Sequence, residues 1–62
     1  MIIVNEHRTL INEKEIIAMD KDKKENNIDF YFKNTIEISV PYNSLEERDS
    51  WYDKIVRYLF EK

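Results

Sequence analysis

The chain has 62 residues, enough for one small domain. A domain of that length buries only about 60% of the surface its unfolded chain exposes, so it depends on close packing, a disulfide, a metal or a second subunit. It has no cysteine, which excludes disulfides and thiolate metal sites, and no glycine, which excludes a Gly-rich phosphate loop. Thirteen acidic against ten basic residues give a net charge of −3, which works against nonspecific attraction to nucleic acid or anionic lipid.

The hydrophobic fraction of 42%, with four Tyr, three Phe and one Trp, is that of a globular chain. Ile2–Asn5 opens with β-branched residues and reads as a first strand, over about residues 2–5. Glu6, His7 and Arg8 make a turn, after which Thr9–Ile11 can extend the ladder. Residues 15–20 read as a second strand, with Ile17 and Met19 on one face and Ile16 and Ala18 on the other. The polar run Lys21–Asn27 is a loop.

The next two strands, 28–33 and 36–40, alternate clearly. Ile28, Phe30 and Phe32 face one way and Asp29, Tyr31 and Lys33 the other, while Ile36, Ile38 and Val40 alternate with Glu37 and Ser39. A two-residue turn at Asn34-Thr35 would put the two apolar sets on opposite faces. Pairing Phe32 with Ile36, Phe30 with Ile38 and Ile28 with Val40 puts them together, so burial selects that register. It requires an odd-numbered loop or a bulge, with Asn34 as the residue best suited to positive φ. Pro41, which has no N–H, ends the strand.

Ser44 and Glu47 form an S-x-x-E capping box, with Ser44 accepting from the Glu47 N–H and the Glu47 side chain reaching back to Ser44. Acidic residues follow in the first turns, and Lys54, Arg57 and Lys62 lie toward the end, as the helix dipole favours. A helix is expected over 45–61. The fold class is therefore α+β: a four-stranded antiparallel meander (β-β-β-β) with one C-terminal helix on its apolar face, all in one domain spanning 1–62.

The strand, short loop and "SLEERDSWYDKI" of Ser44–Ile55 resemble the C-terminal end of pleckstrin-homology-type domains, where an amphipathic helix closes a β-barrel. On that resemblance, which spans about Glu37–Leu59, Trp51 corresponds to the core tryptophan and Glu47-Arg48 to the residues before it. That family has seven strands and a basic phosphoinositide loop. Here there is room for four, and the early strands carry only Arg8 and Lys14 among Glu6, Glu13 and Glu15. "LIN" at Leu10–Asn12 and "KNTIEI" at Lys33–Ile38 also resemble the strand order of short bacterial flagellar proteins of the FlbD type, with Asn34-Thr35 in place of the usual Asn-Gly turn.

Candidate sites are few. His7, with Glu6, Glu13 and Glu15, offers too few ligands and no supporting partners for a metal. Asp20 and Asp22 have the D-x-D spacing of a calcium loop, but the sixth position is Glu25 and the twelfth Tyr31, where glycine and glutamate are needed. Glu46-Glu47 and Glu13/Glu15 sit in polar surroundings that give no reason for the shifted pKa of a general acid. No catalytic residue, cofactor site or metal site is expected.

The aromatic residues carry more. On a helix, Leu45, Trp51, Tyr52, Ile55, Val56, Tyr58, Leu59 and Phe60 spread over roughly 200°, wider than the ~100° stripe of an ordinary surface helix. Tyr52, Ile55, Val56 and Leu59 are expected to face the sheet, with Trp51 and Tyr58 on one flank and Phe60 on the other. These flanks either wrap the rim of a small core or form a contact surface. Tyr31, on the outer sheet face, is either a partner anchor or a cover for its neighbours' aliphatic stems.

The expectation is a non-enzymatic protein-interaction module whose partner is another protein or a second copy of itself. It would act through Trp51, Tyr58, Phe60 and Tyr31, with an open sheet edge as a further contact. The alternative is a minimal pleckstrin-type lipid- or ligand-binding domain. "MIIV" is too short for a signal peptide and no run reaches membrane-spanning length, so a cytoplasmic location is expected. The Ile, Lys, Asn and Glu bias without glycine is associated with short reading frames of AT-rich bacterial or phage genomes. For a phage product, regulation of a host protein would follow, including by mimicry of nucleic-acid charge if acidic rows line an exposed face.

Overall fold

The computed structural model describes residues 1–22 and 24–60, so the expectations at Lys23, Glu61 and Lys62 lie outside the described residues. In chain order the elements are β1 (Ile2–Ile3), β2 (Leu10–Ile11), a 3-10 turn (Glu13–Glu15), β3 (Ile16–Lys21), β4 (Asn27–Phe32), β5 (Glu37–Pro41) and α1 (Leu45–Phe60). The architecture is α+β with one C-terminal helix. It is not the expected four-stranded meander, however: β3-β4-β5 form a three-stranded antiparallel sheet and β1-β2 a separate hairpin.

Two local features divide the strands. The Asn12 side chain accepts from the Lys14 N–H and starts the 3-10 turn, which redirects the chain between β2 and β3. The free edge of β3 is also irregular. Ile16 pairs with Phe32 and Ala18 with Tyr31, leaving Ile17 extra. A bulge of this kind bends an edge and discourages a further strand. The bulge also resets the phase of β3. Ile16 and Met19 pack against the core while Ile17 and Ala18 are exposed, so the expected Ile17/Met19 face does not form.

The β4–β5 register is the one that burial selects, with Ile28 opposite Val40, Phe30 opposite Ile38, and the Phe32 N–H donating to the Ile36 carbonyl at 3.0 Å. The connecting loop is Lys33-Asn34-Thr35, closed by the Thr35 N–H on the Phe32 carbonyl at 3.1 Å. Its left-handed residue is Thr35 (φ 67°) rather than Asn34. A three-residue hairpin loop places the left-handed conformation at its last position. Asn34 instead accepts the Ile36 N–H on its side chain at 3.3 Å. In the first hairpin, Arg8 (φ 60°) likewise ends a four-residue loop. The buried Asn5 clasps that loop, accepting the Thr9 N–H and donating to the Thr9 hydroxyl.

Pro41 is the last residue of β5 rather than the first beyond it. Ile36 and Tyr42 both hydrogen-bond to β4 or its flank, so by alternation the backbone groups of residues 36, 38, 40 and 42 point inward and those of 37, 39 and 41 outward. The missing N–H of Pro41 therefore falls on the open edge and costs the sheet no bond.

One core joins the parts: Val4 and Ile11 from the hairpin, Ile28, Phe30, Phe32, Val40 and Tyr42 from the sheet and its end, and Ile55 from the helix. Tyr42 is buried and donates its hydroxyl to the Val4 carbonyl, tying hairpin to sheet; burial pushes this phenol far above its ordinary pKa. Ser44 caps α1 by accepting the Glu47 N–H at 3.0 Å. The Glu47 carboxylate takes the Asn43 N–H at 2.8 Å rather than that of Ser44, one residue earlier than the capping box predicts.

Candidate functional surfaces

Three surfaces stand out. The first is an apolar cleft of about 370 Å³ between β1 and α1, lined by Met1, Ile2, Ile3, Trp51, Lys54, Ile55 and Tyr58. Its walls follow from two periodicities. In β1, consecutive isoleucines point to opposite sides, so Ile2 packs on the core while Ile3 remains 46% exposed. In α1, Trp51, Ile55 and Tyr58 lie on one side of the helix at spacings of four and three.

Trp51 is half-buried against the core, and Lys54 Nζ sits 4.9 Å from its ring centroid. Tyr58, by contrast, is 60% exposed and also borders a hollow formed with Glu13, Lys14 and Leu59. Phe60 is exposed too, but two residues on from Tyr58 it is turned by about 160° around the helix. The two flanks are thus separate surfaces. Ile55 is the buried centre of the helix, Tyr52 and Leu59 pack beside it, and Val56 is half-buried.

The helix is held in place at its N-terminal half. Arg48 is largely buried, and its Nη1 donates to the carbonyls of Asp22 (2.8 Å) and Glu25 (3.4 Å) in the β3–β4 connection. Asp49 accepts from Arg48 at 2.8 Å and lies 3.6 Å from Lys21 Nζ, which also stands 5.0 Å from the Tyr52 ring centroid. The Arg48 hydrogen bonds, and then its charge and that of Lys21, hold the Asp49 carboxyl below the usual carboxylate range.

The second surface is the outer face of the sheet. Its strand positions are Ala18 and Asp20 on β3, Asn27, Asp29 and Tyr31 on β4, and Glu37, Ser39 and Pro41 on β5; none is basic. Asp22 follows β3 directly, its N–H donating to the Asn27 carbonyl, and Lys33 follows β4 directly, its N–H donating to the Glu15 carbonyl, so this face carries one basic position at its end. Asp20 and Asp29 stand directly opposite each other across the strands, an arrangement that costs stability. Tyr31 is half-buried among these acids. Its phenol pKa is raised, first by desolvation and then by Glu37, Asp29, Asp20 and Asp22. Ser39 donates its hydroxyl to Asp29.

The third surface is the edge of β5. Ile36 and Ile38 lie on the inner face with Phe32 and Phe30, as their period requires, yet they are 51% and 42% exposed, and only Val40 of this set is buried. Alternation identifies the face of a side chain but not whether a second layer reaches it. Here a groove of about 420 Å³ runs between the first hairpin and β5, lined in part by Asn5, His7, Thr9, Ile38, Val40 and Tyr42.

Of the residues singled out from sequence, Trp51 and Tyr58 share the cleft, Phe60 lies away from it, and Tyr31 belongs to the acidic face. Sequence reasoning missed Met1 and Ile3, although two adjacent β-branched residues in a strand require one to face outward. His7 is exposed in the first hairpin loop. Among the described residues, no three His, Asp or Glu side chains gather as a metal would require, and no helix is long and apolar enough to cross a membrane. Compared with known proteins, the chain matches no protein-family model, no curated protein and no solved structure.

Proposed function

We propose that this protein is a small non-enzymatic binding module that docks another protein in the cleft between β1 and α1. The observation that supports this reading most is the cluster of exposed apolar side chains, Met1, Ile3 and Tyr58, around a cleft floored by Ile2, Trp51 and Ile55. Aromatic side chains beside an apolar hollow are where interface energy concentrates. Lys54, over the indole, supplies a charged rim.

The test is selection of peptides from a random displayed library on the immobilised protein. Selected peptides should lose at least about tenfold in affinity for Tyr58→Ala and for Ile3→Ser, and little for Phe60→Ala. Peptides that bind all three variants as well as the parent protein would place the contact elsewhere.

A second reading rests on the outer sheet face. Four carboxylates around Tyr31, against the single Lys33 just beyond β4, fit a basic protein surface such as one that otherwise binds nucleic acid. That would make the chain a charge mimic acting on a host or cellular regulator. Its mark would be a strongly salt-dependent association.

A further inference from the structure

The free edge of β5 is complementary to itself in one register, and we infer that two copies of the chain pair through it. This inference concerns a different surface from the helix-flank cleft and does not rest on it.

The backbone groups that β5 turns away from β4 belong to residues 37, 39 and 41. Glu37 and Ser39 each present an N–H and a carbonyl there, while Pro41 presents a carbonyl alone. Among the described residues nothing pairs with these groups. Unlike β3, which bulges at Ile17, this edge is regular along its length. An edge of that kind is a template for another strand.

The proline and the Glu37 carboxylate together select the register, since a twofold at Glu37 would set two carboxylates directly opposite each other. In an antiparallel pair of identical strands about a twofold at Ile38, Glu37 of each copy faces Ser39 of the other. All four free N–H groups and their four carbonyls are then matched, and Pro41 stays outside the ladder. A twofold at Ser39 would instead set Glu37 opposite Pro41 and leave the Glu37 carbonyl facing a residue with no N–H to give.

The side chains agree with the first register. On the inner face, Ile38 meets Ile38 of the second copy and Ile36 meets Val40. The two exposed isoleucines are thereby covered, and Ile36 enters the groove between the first hairpin and β5. On the outer face Glu37 is set beside Ser39, so no carboxylate lies directly opposite another across the new seam. The result is a six-stranded sheet, β3-β4-β5-β5-β4-β3.

The contact is small. A standard interface takes about 800 Å² from each partner, roughly a sixth of this chain's 4651 Å² surface, and one short strand edge with two isoleucines supplies less. The dimer is therefore weak and concentration-dependent. It also brings two acidic outer faces onto one side of the sheet, so added salt tightens it.

Sedimentation equilibrium from micromolar to millimolar protein tests the inference. The parent chain is expected to pass from monomer to dimer, with a smaller dissociation constant at higher salt. Ser39→Pro removes an outward-facing N–H, as Pro41 already does, and one exposed side-chain hydrogen bond to Asp29; it should leave the monomer folded while raising the dissociation constant at least tenfold. Because the chain has no cysteine of its own, Ile38→Cys should cross-link under mild oxidation and Ile36→Cys should not. A strict monomer at millimolar concentration overturns the inference. So does a dimer indifferent to Ser39→Pro, one lost with Tyr58→Ala instead, or equal cross-linking of the two thiol variants.

Discussion

Thr35 adopts a conformation that β-branched residues disfavour, with φ at 67° at the end of the β4–β5 loop. Glycine would occupy it without the Cβ clash, while its greater freedom in the unfolded chain offsets part of the gain. Thr35→Gly is expected to stabilise the fold by about 0.5–1 kcal/mol in urea denaturation. Asn34→Gly, one residue earlier, should destabilise it, because the acceptor for the Ile36 N–H is lost. The sequence fixes the loop length through the apolar register but assigns the left-handed position to the wrong residue. Asn is the better residue for that conformation in general, and this loop type requires it one step later.

Between elements, the attachment of α1 to the sheet depends on charge as well as on the core. Arg48 occupies the Asp22 and Glu25 carbonyls, and Asp49 lies between Arg48 and Lys21. The folded pKa of Asp49 is below its unfolded value, so its contribution is fully present above about pH 4 and is lost as pH falls through the folded value. Denaturation midpoints measured from neutral pH downward should therefore drop more steeply in the parent chain than in Asp49→Asn, which starts from a lower value. Some slope should persist in the variant, because a hydrogen bond from its own backbone N–H holds the Glu13 carboxyl low as well. Equal acid slopes would show that Asp49 does not couple helix to sheet.

The same scale shows what sequence could reveal. The Ser44 cap, the helix and the β4–β5 register are written in adjacent residues and are legible there. The long-range contacts of Arg48 with the β3–β4 connection, and the division of four expected strands into a hairpin and a three-stranded sheet, are not. A bulge at Ile17 and a 3-10 turn at Glu13 decide that division, and neither leaves a period in the sequence. For the candidate surfaces, period two places Tyr31 and Ile38 on their faces. Only the arrangement of helix and hairpin determines that Ile38 stays uncovered and that Tyr58, rather than Phe60, borders the cleft.

Over the whole molecule, charge is distributed unevenly in a way that opposes stability. Lys21, Arg48 and Lys54 serve the helix side of the sheet, while Asp20, Asp29 and Glu37 share the outer face with Lys33, just beyond β4, as its one basic position. Asp20 opposite Asp29 is the sharpest case, since an opposite-charge pair at those positions would stabilise the sheet. Retaining such a defect in a domain this small is consistent with use of the face in binding. Asp20→Lys separates the two effects. It should raise the melting temperature by a few degrees, because cross-strand repulsion becomes attraction. It should also weaken association with polylysine, and flatten the salt dependence of that association, if the outer face is the contact. A more stable variant that binds polylysine unchanged would leave the acidic face without a binding role and return the functional question to the cleft between β1 and α1.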